Sequence, residues 1–302
     1  MSGRIGVVGD VAFDYVIDLD EADAPDEKVI PRATARLLGG TGANAAAVAT
    51  TLGSQVSLHA NVGDDPTGDW VRRALTERGI DTTHVAVSPG TTATATILRR
   101  GTGRTVIVDI GVGLSPLANA PTAVADLRAC DLIYVSYSPE AVTRLIREGL
   151  GDRLVAGLEG WMLADNDFLH ALARCRLVIT NDAGYAALTA TGSVPQAPVV
   201  RTQGEKGASI HHPDGTTVLI PPFIVDAVDA TGAGDCFAGT LCHYVAQGTP
   251  LADAAHLASA SAALSTTAVG AQGRIPSPNE LESLAAVPDR DKRENGSVPL
   301  ER

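Results

Sequence analysis

The chain has few cysteines, aromatic residues and lysines. Four of its 302 residues are cysteine, aromatic residues make up 4%, and the three lysines are Lys28, Lys206 and Lys292. The cysteines form no C-x-x-C pair, so the sequence predicts no thiolate metal site, and buried free thiols in a reducing compartment are expected. With 45% apolar residues, a large core must be filled mainly by alanine, valine and leucine.

Positive charge and long apolar runs are also scarce. The formal net charge is −12, which argues against nucleic acid and anionic membranes as partners. There is no uncharged apolar run of the roughly 18 residues that a membrane span needs. Met1–Arg4 leads directly into an apolar segment rather than into a signal peptide. A cytoplasmic protein is therefore expected.

Apolar runs alternate with helical patterns through most of the chain. Such β-α alternation predicts an α/β fold, a parallel sheet with helices on both faces. The predicted strands lie near residues 5–8, 56–60, 85–87, 132–135, 154–156, 177–179 and 199–202, and a hairpin follows at 208–211 and 216–220. The predicted helices lie near residues 43–52, 68–78, 140–148, 166–173, 183–191, 233–247 and 251–269.

Four further strands, at about 11–19, 33–38, 91–99 and 104–109, do not fit this alternation. The last two are β-branched runs joined by a glycine-containing turn, which is typical of a hairpin. We expect these four strands to form a small separate sheet, inserted in one domain that spans 1–288. The charged, proline-bearing residues 289–302 are predicted to be a disordered tail.

A glycine-rich turn, Asp229-Ala-Thr-Gly-Ala-Gly-Asp235, precedes a helical pattern. Backbone N–H groups at a helix start lack partners within the helix, and the helix dipole adds partial positive charge there. Two glycines let a ligand approach, so the turn can cradle an anion, while the same dipole should keep Asp235 ionised. An anion cradle beside a carboxylate suits phosphoryl transfer to a hydroxyl group. The alternative is a purely structural glycine turn with an aspartate that favours a helix start.

This turn resembles the C-terminal signature of the ribokinase-like (PfkB) carbohydrate kinase family. About 190 residues earlier, Gly39-Gly-Thr-Gly-Ala-Asn44 and then Gly63-Asp-Asp-Pro-Thr-Gly68 resemble the N-terminal signature, and the resemblance extends to about Pro278. It implies a ribokinase-like three-layer sandwich with a mainly parallel central sheet and a small β-sheet lid, which often forms a dimer contact. The implied activity is ATP-dependent transfer of the γ-phosphate to a hydroxymethyl group of a sugar or nucleoside.

The resemblance also implies roles for individual residues of the two signatures. The implied catalytic set is Asp235 as base, with the amides of Gly232, Ala233 and Gly234 facing the transferred group. The residues implied to bind the acceptor are Asp14, Gly40, Gly42 and Asn44. Asp10 is a rival to Asp14 because it lies nearer the end of the first strand. The acceptor hydroxyl should therefore lie between Asp14 and Asp235.

ATP and Mg²⁺ are the implied cofactors. The positions that resemble nucleotide-binding residues are Asn181, Thr202, Gly204, Gly207, Gly270 and Ala271, the last two in a loop that flanks the adenine pocket in relatives. Lys206 lies in the nucleotide loop, and simple exposure is the alternative for it. The carbonyl groups of Asp229 and Thr231 would bind potassium, as in relatives that potassium activates. Arg99, Arg100 and Arg104 lie on the predicted hairpin and are interpreted as solvated turn residues, with contact to phosphate when the lid closes as the alternative.

Three positions depart from the family pattern. Gly184 replaces the glutamate of an Asn-x-x-Glu motif that begins at Asn181, which leaves open whether Asp182 compensates or metal binding is weaker. Tyr137 stands before a Ser-Pro pair where sugar kinases often have glutamate, which suggests a different or larger acceptor with a flat face. Thr41, in place of a lysine common in sugar-phosphate kinases, argues against an already phosphorylated acceptor.

Two other functions stay open. Gly40-x-Gly42-x-x-Ala45 matches a dinucleotide fingerprint, but it does not follow the first strand directly, as an NAD(P)-dependent reductase requires. A non-catalytic nucleotide- or sugar-binding member of the fold is the second alternative, because of Gly184. The sequence leaves open the identity of the acceptor, the effect of Gly184 on metal binding, potassium dependence and the oligomeric state.

Overall fold

The computed structural model describes residues 3–20, 28–101, 103–113, 116–117, 122–192 and 195–285. The predicted tail at 289–302 and the end of the predicted domain lie outside the described residues. The strands in the described ranges are β1 (Arg4–Val8), β2 (Ala12–Leu19), β3 (Ala33–Gly39), β4 (Gln55–Gly63), β5 (Val85–Ser88), β6 (Thr94–Arg100), β7 (Gly103–Asp109), β8 (Leu132–Val135), β9 (Leu154–Leu158), β10 (Leu177–Asn181), β11 (Val199–Thr202), β12 (Ala208–His211) and β13 (Thr217–Ile220).

Nine of these strands form the central sheet, in the order β13-β12-β11-β10-β9-β8-β1-β4-β5. The neighbours from β11 to β5 pair in parallel, and only the β11–β12 and β12–β13 pairs are antiparallel. The α/β prediction with a mainly parallel sheet is confirmed. Because the strands from β11 to β5 run the same way, their carboxyl ends meet at one edge, where α/β proteins bind ligands.

The remaining four strands form a separate sheet in the order β3-β2-β6-β7. β2 pairs with β6 in parallel, and the other two pairs are antiparallel. The predicted small sheet is therefore confirmed. Its third strand runs from Thr94 to Arg100 rather than from residue 91, because Thr92 instead bonds through its backbone N–H and hydroxyl to Asp65.

The helices are α1 (Thr41–Thr51), α2 (Pro66–Glu77), α3 (Ala123–Leu127), α4 (Pro139–Arg147), α5 (Asn166–Leu172), α6 (Asp182–Ala190), α7 (Ala233–Ala246), α8 (Leu251–Ser265) and α9 (Pro278–Ala285). Side-chain caps start several of them: Asp65 accepts from the Gly68 amide at 2.7 Å, and Asn181 accepts from the Gly184 amide at 2.8 Å. These caps satisfy N–H groups that have no partner within the helix.

Three helices differ from the sequence prediction. α8 ends at Ser265 instead of near 269, and the hydroxyls of Ser265 and Thr266 donate to the carbonyls of Ala262 and Ala263. α3 has five residues, too few to show a helical period. α9 was not predicted, although Ser277 and Glu280 form a reciprocal cap that the S-x-x-E spacing could have revealed.

Two apolar cores lie on opposite faces of the central sheet. Successive residues of one strand point to different cores: Leu132 belongs to the core with α1, α2, α7 and α8, and Ile133 to the core with α4 and α5. α1 and α7 pack so closely that only glycine fits at position 239 of α7, because a Cβ there would lie 2.6 Å from the Ala45 carbonyl of α1. The molecule is thus a three-layer α/β sandwich with a small second sheet.

Candidate active site

Asp235 lies in the first turn of α7, after Gly232, whose φ of 75° is left-handed. The Asn44 side-chain amide donates to Asp235 Oδ2 at 2.7 Å, although 191 positions separate the two residues in the sequence. Gln272 Nε2 in turn donates to Asn44 Oδ1 at 2.8 Å. The two predicted signatures therefore meet at this carboxylate.

The expectation that the helix start keeps Asp235 ionised is wrong. Burial raises the pKa of Asp235 to about 7, and the negative charges of Asp10, Asp14 and Glu159 add to that rise, against the opposing hydrogen bond from Asn44. Removing water from a carboxylate disfavours its charged form, and the neighbouring negative charges do the same. A carboxyl group that titrates near neutral pH is suited to exchange a proton with a hydroxyl group.

Asp14 lies on β2, and its carboxylate packs against Gly39, where any side chain would collide with it. Burial and the negative charge of Asp10 raise the pKa of Asp14 to about 6. Asp14 borders a small cavity of about 30 Å³ between the four-stranded sheet and the Asp229–Thr231 turn. Asp235 borders a different, neighbouring cavity, yet the charge of Asp14 raises the pKa of Asp235, so the two carboxylates interact.

The carboxylate of Asp10 is bound to the backbone at the start of α1, unlike the free carboxylate that a rival of Asp14 for the acceptor would need. Its two carboxylate oxygens accept from the amides of Thr41 at 3.1 Å and Gly42 at 3.3 Å, at the start of α1. Gly40 and Gly42 also lie against this turn, since a Cβ at either position would come within 3.0 Å of the backbone of residues 9–12. In the structure these two glycines therefore permit the β1–β2 turn to approach α1.

The largest of the three cavities near the two signatures, of about 490 Å³, lies between the loop after β11, the segment before α7, and α8. It is lined mainly by apolar groups, including Phe223, Ile224, Phe237 and Ala262. The predicted nucleotide residues Thr202, Gly204 and Gly207 border it, as do Ala233 and Gly234. Lys206 is exposed and is not among the residues that line it.

A second cavity, of about 110 Å³, contains Asp235 and adjoins the largest one. Thr202 and Gly234 border both. Asn181 lies here, and its side-chain amide donates to Glu159 Oε1 at 3.3 Å. Glu159 was missed in the sequence, although its place directly after β9, at the carboxyl edge of a parallel sheet, is a signal for a functional residue.

Position 184 has no room for the glutamate of the family pattern. A Cβ there would collide with the Thr180 hydroxyl. Asp182 is engaged elsewhere, because its Oδ1 accepts from Arg201 Nε at 2.6 Å. Glu159 is thus the carboxylate that shares a cavity with Asn181 and Asp235.

Gly270 and Ala271 do not line the large cavity that Thr202, Gly204 and Gly207 border. They border the small cavity with Asp14. The Gly270 amide donates to Asp229 Oδ2 at 3.0 Å. Ala271 packs closely on Gly232, since a Cβ added at Gly232 would lie 2.5 Å from the Ala271 Cβ. The chain after α8 folds back over the glycine turn, which brings this loop to the Asp14 side.

Asp229 and Thr231 bond to each other through their side chains. Asp229 Oδ1 accepts from the Thr231 amide at 2.9 Å and from its hydroxyl at 2.6 Å. Arg104, on β7, donates to the Thr231 hydroxyl and lies 3.8 Å from Asp229 Oδ1. Arg99 and Arg104 both border the small cavity, and their side chains are also 30% and 49% exposed, so they face both the cavity and solvent.

Tyr137 borders the Asp235 cavity and carries an unusual backbone conformation. Its φ is 49°, and it is the one residue other than glycine with a positive φ in the described ranges. Such a conformation costs about 1–3 kcal/mol and persists where the surroundings enforce it, often at functional sites.

Comparison with known proteins gives a consistent family assignment. The model of the pfkB family of carbohydrate kinases matches residues 3–278. A ribokinase from Bacillus subtilis (strain 168) is 27% identical over 93% of this chain and 99% of its own length. An ATP-dependent ribose-1-phosphate kinase from Halopiger xanaduensis is 30% identical over 78% of this chain and 82% of its own length.

A solved structure shares the fold. The nucleoside kinase of Burkholderia thailandensis in complex with inosine superposes with a TM-score of 0.78 at 22% identity, over 93% of this chain and 97% of that one. With both signatures joined at Asp235 and a family match over nearly the whole sequence, the chain belongs to the pfkB family of carbohydrate kinases and is an ATP-dependent kinase that acts on an alcohol group.

Proposed function

We propose that this enzyme transfers the γ-phosphate of ATP to a hydroxymethyl group of a small sugar or nucleoside, with Asp235 as the base. The main supporting observation is the position of Asp235: it is partly buried, its pKa is raised to about 7, and Gly234 beside it borders the largest cavity. A base at the junction of two cavities can reach a hydroxyl group in one of them and a phosphate that enters from the other.

The largest cavity is the proposed nucleotide site. Its apolar walls suit a flat base, and Thr202, Gly204 and Gly207 border it. The γ-phosphate would lie at the start of α7, where N–H groups lack helical partners and the dipole favours an anion. The Ala233 amide already donates to the Ala230 carbonyl at 3.3 Å, whereas a Cβ at Gly234 would meet no atom within 4 Å. The open space over Gly234 therefore supports Gly234 as the residue that the γ-phosphate approaches most closely.

Mg²⁺ would be held by Glu159 and Asn181, directly or through water. Oxygen ligands are those that Mg²⁺ prefers, and these two side chains already share a hydrogen bond in the Asp235 cavity. Position 184 cannot supply the ligand because Thr180 fills its space. Bound Mg²⁺ would neutralise charge on the phosphates, while Glu159 and Asn181 orient it.

The acceptor would bind between Asp14 and Asp235. Asp14 can accept hydrogen bonds from two vicinal hydroxyls. Asn44 already donates to Asp235 and accepts from Gln272, so its proposed role is to position the base, with its second N–H left for the acceptor. Tyr137 offers a ring in place of a carboxylate, which favours an acceptor with a flat face, such as a nucleoside.

The four-stranded sheet is proposed as a lid and as a dimer contact. Closure would exclude water, so that ATP hydrolysis does not compete with transfer. Val106, Ile107 and Val108 of the edge strand β7 are 46%, 58% and 61% exposed, and a second copy could cover them.

The proposed ligands for a monovalent cation are the backbone carbonyls of Asp229 and Thr231. The side chains of these two residues are bonded to each other and to Arg104, so the carbonyls are the groups left for a cation.

The test is ADP release from ATP and Mg²⁺ with a panel of sugars and nucleosides, for wild type and Asp235→Asn. We expect release that depends on one acceptor class, and a fall in kcat of roughly 10²–10⁴ in the variant with nucleotide affinity preserved. Undiminished turnover in the variant removes Asp235 from this role. Tight ATP and acceptor binding with no turnover in wild type would favour a non-catalytic sensor.

The location of the protein stays a prediction. None of the helices in the described ranges is both long and apolar enough to cross a membrane.

A further inference from the structure

His59, His84 and Asp126 meet on three different elements, and none of them borders the cavities described above. His59 lies on β4, His84 just before β5, and Asp126 on α3. His59 Nε2 is 2.9 Å from Asp126 Oδ2, and His84 Nε2 is 3.4 Å from Asp126 Oδ1. The two imidazole rings stack with centroids 4.5 Å apart, and the three ligand atoms all lie within 4.8 Å of one another.

We propose that His59, His84 and Asp126 form a binding site for a divalent transition metal ion of the zinc class. Two imidazoles and one carboxylate are donors that zinc uses, with a water molecule as the usual fourth ligand. Zinc–ligand bonds of about 2.0–2.2 Å in a tetrahedron place neighbouring ligand atoms roughly 3.3 Å apart. His59 Nε2 lies 2.9 Å from Asp126 Oδ2, and His84 Nε2 lies 3.4 Å from the other oxygen, Oδ1. With all three ligand atoms within 4.8 Å of one another, small side-chain rotations would bring them to a chelating arrangement.

The hydrogen bonds of the cluster determine which of its atoms a metal would have to take over. Asp126 Oδ2 also accepts from the Ser57 hydroxyl at 2.6 Å. His59 Nδ1 is buried without a partner. Nδ1 is therefore unpaired in either tautomer, as an acceptor when Nε2 donates to Asp126 and as a donor when Nε2 is free for a metal.

Arg4 is the competitor for this site. Its guanidinium pairs with Asp126 Oδ1, and its side chain is 40% exposed. It therefore supplies the positive charge that the carboxylate needs when no metal is present, and it can turn into solvent when a metal binds. Removal of Arg4 should then tighten metal binding. If the cluster served only as a hydrogen-bonded link between β1, β4 and α3, removal of Arg4 would weaken the fold and leave metal affinity unchanged.

The experiment is a Co²⁺ and Zn²⁺ titration of the chelator-treated full chain, without nucleotide or Mg²⁺. Co²⁺ absorption in the visible reports tetrahedral coordination, and thermal unfolding reports stabilisation by Zn²⁺. We expect one tetrahedral Co²⁺ per chain and a rise in Tm with Zn²⁺. His84→Ala changes a side chain that is 18% exposed, and it should weaken binding at least about tenfold, by analogy with lost second-shell partners. Arg4→Gln should strengthen it.

Two controls separate this site from others. His170→Ala removes an exposed histidine that bonds only to the Asn166 carbonyl, and it should bind Co²⁺ like wild type. Asp235→Asn should also bind normally, which excludes the proposed active site as the source. The proposal is overturned if wild type gives no tetrahedral spectrum, if His84→Ala and His170→Ala bind equally, or if Arg4→Gln leaves affinity unchanged.

Discussion

Alanine at position 234 would add one methyl group to the open space where we place the γ-phosphate. Gly234 lies in the first turn of α7 and is not among the residues with positive φ, so its backbone conformation is available to alanine. An added Cβ would meet no atom within 4 Å. Since alanine restricts the unfolded chain more than glycine does and fits this backbone conformation, Gly234→Ala should stabilise the fold by about 0.4–1 kcal/mol.

The same methyl group should lower turnover. An anion that uses helix-start amides must bring its oxygen to about 2.7–3.1 Å from the nitrogen, and loss of one such donor costs roughly 10²–10³ in kcat, about 2.7–4 kcal/mol. Gly234→Ala should therefore combine a raised Tm with kcat lowered by that factor. The assays are ADP release at saturating acceptor and thermal unfolding of the same preparation.

Gly239→Ala is the matched control in the same helix. Its Cβ would lie 2.6 Å from the Ala45 carbonyl, so overpacking should destabilise the fold by about 1–3 kcal/mol, while the folded fraction keeps its kcat. Wild-type turnover in Gly234→Ala, or a loss of its stability, would refute the placement of the phosphate over this residue.

Four further predictions concern Asp235, Glu159 and the edge strand β7. Because burial raises the pKa of Asp235 to about 7, kcat should fall about tenfold per pH unit below that value and level off above it. The folded state favours the protonated form of the Asp235 carboxyl, because its pKa is higher there than in the unfolded chain. The stability that the protonated carboxyl contributes is therefore lost as the pH rises through 7. Asp235→Asn, which cannot ionise, should unfold at a higher temperature than wild type at alkaline pH. A flat pH profile for kcat would contradict this assignment. Glu159→Gln should raise several-fold the Mg²⁺ concentration needed for half-maximal ADP binding by calorimetry, with Asp182→Asn as the control that leaves it unchanged; equal effects would remove Glu159 from the metal site. Val106→Lys on the open edge of β7 should convert a dimer to monomers in sedimentation, whereas Leu219→Lys, an exposed site on β13, should not; a wild-type monomer would exclude the dimer contact.

Local patterns were sufficient for most of the secondary structure. The period of apolar residues and the glycine turns placed most elements within a few residues, because strand and helix periodicity is written into neighbouring positions. The end of α8 was misplaced because hydroxyl groups of its last residues satisfy the helix carbonyls and close it early. The two signatures also predicted that residues far apart would meet, as Asn44 and Asp235 do.

Burial and the order of strands decided what the sequence could not. Asp235 seemed ionised from its helix position, yet the surrounding core raises its pKa to about 7. Glu159 and Asn181 meet because β9 and β10 are neighbours in the sheet, and Gly270 lies beside Asp229 because the chain after α8 folds back.

The sequence by itself determined the elements and the turn that opens α7, since these depend on adjacent residues. Only the tertiary structure decided which side chains share a cavity and how far water is excluded from them, because both depend on contacts between segments that are distant in the chain.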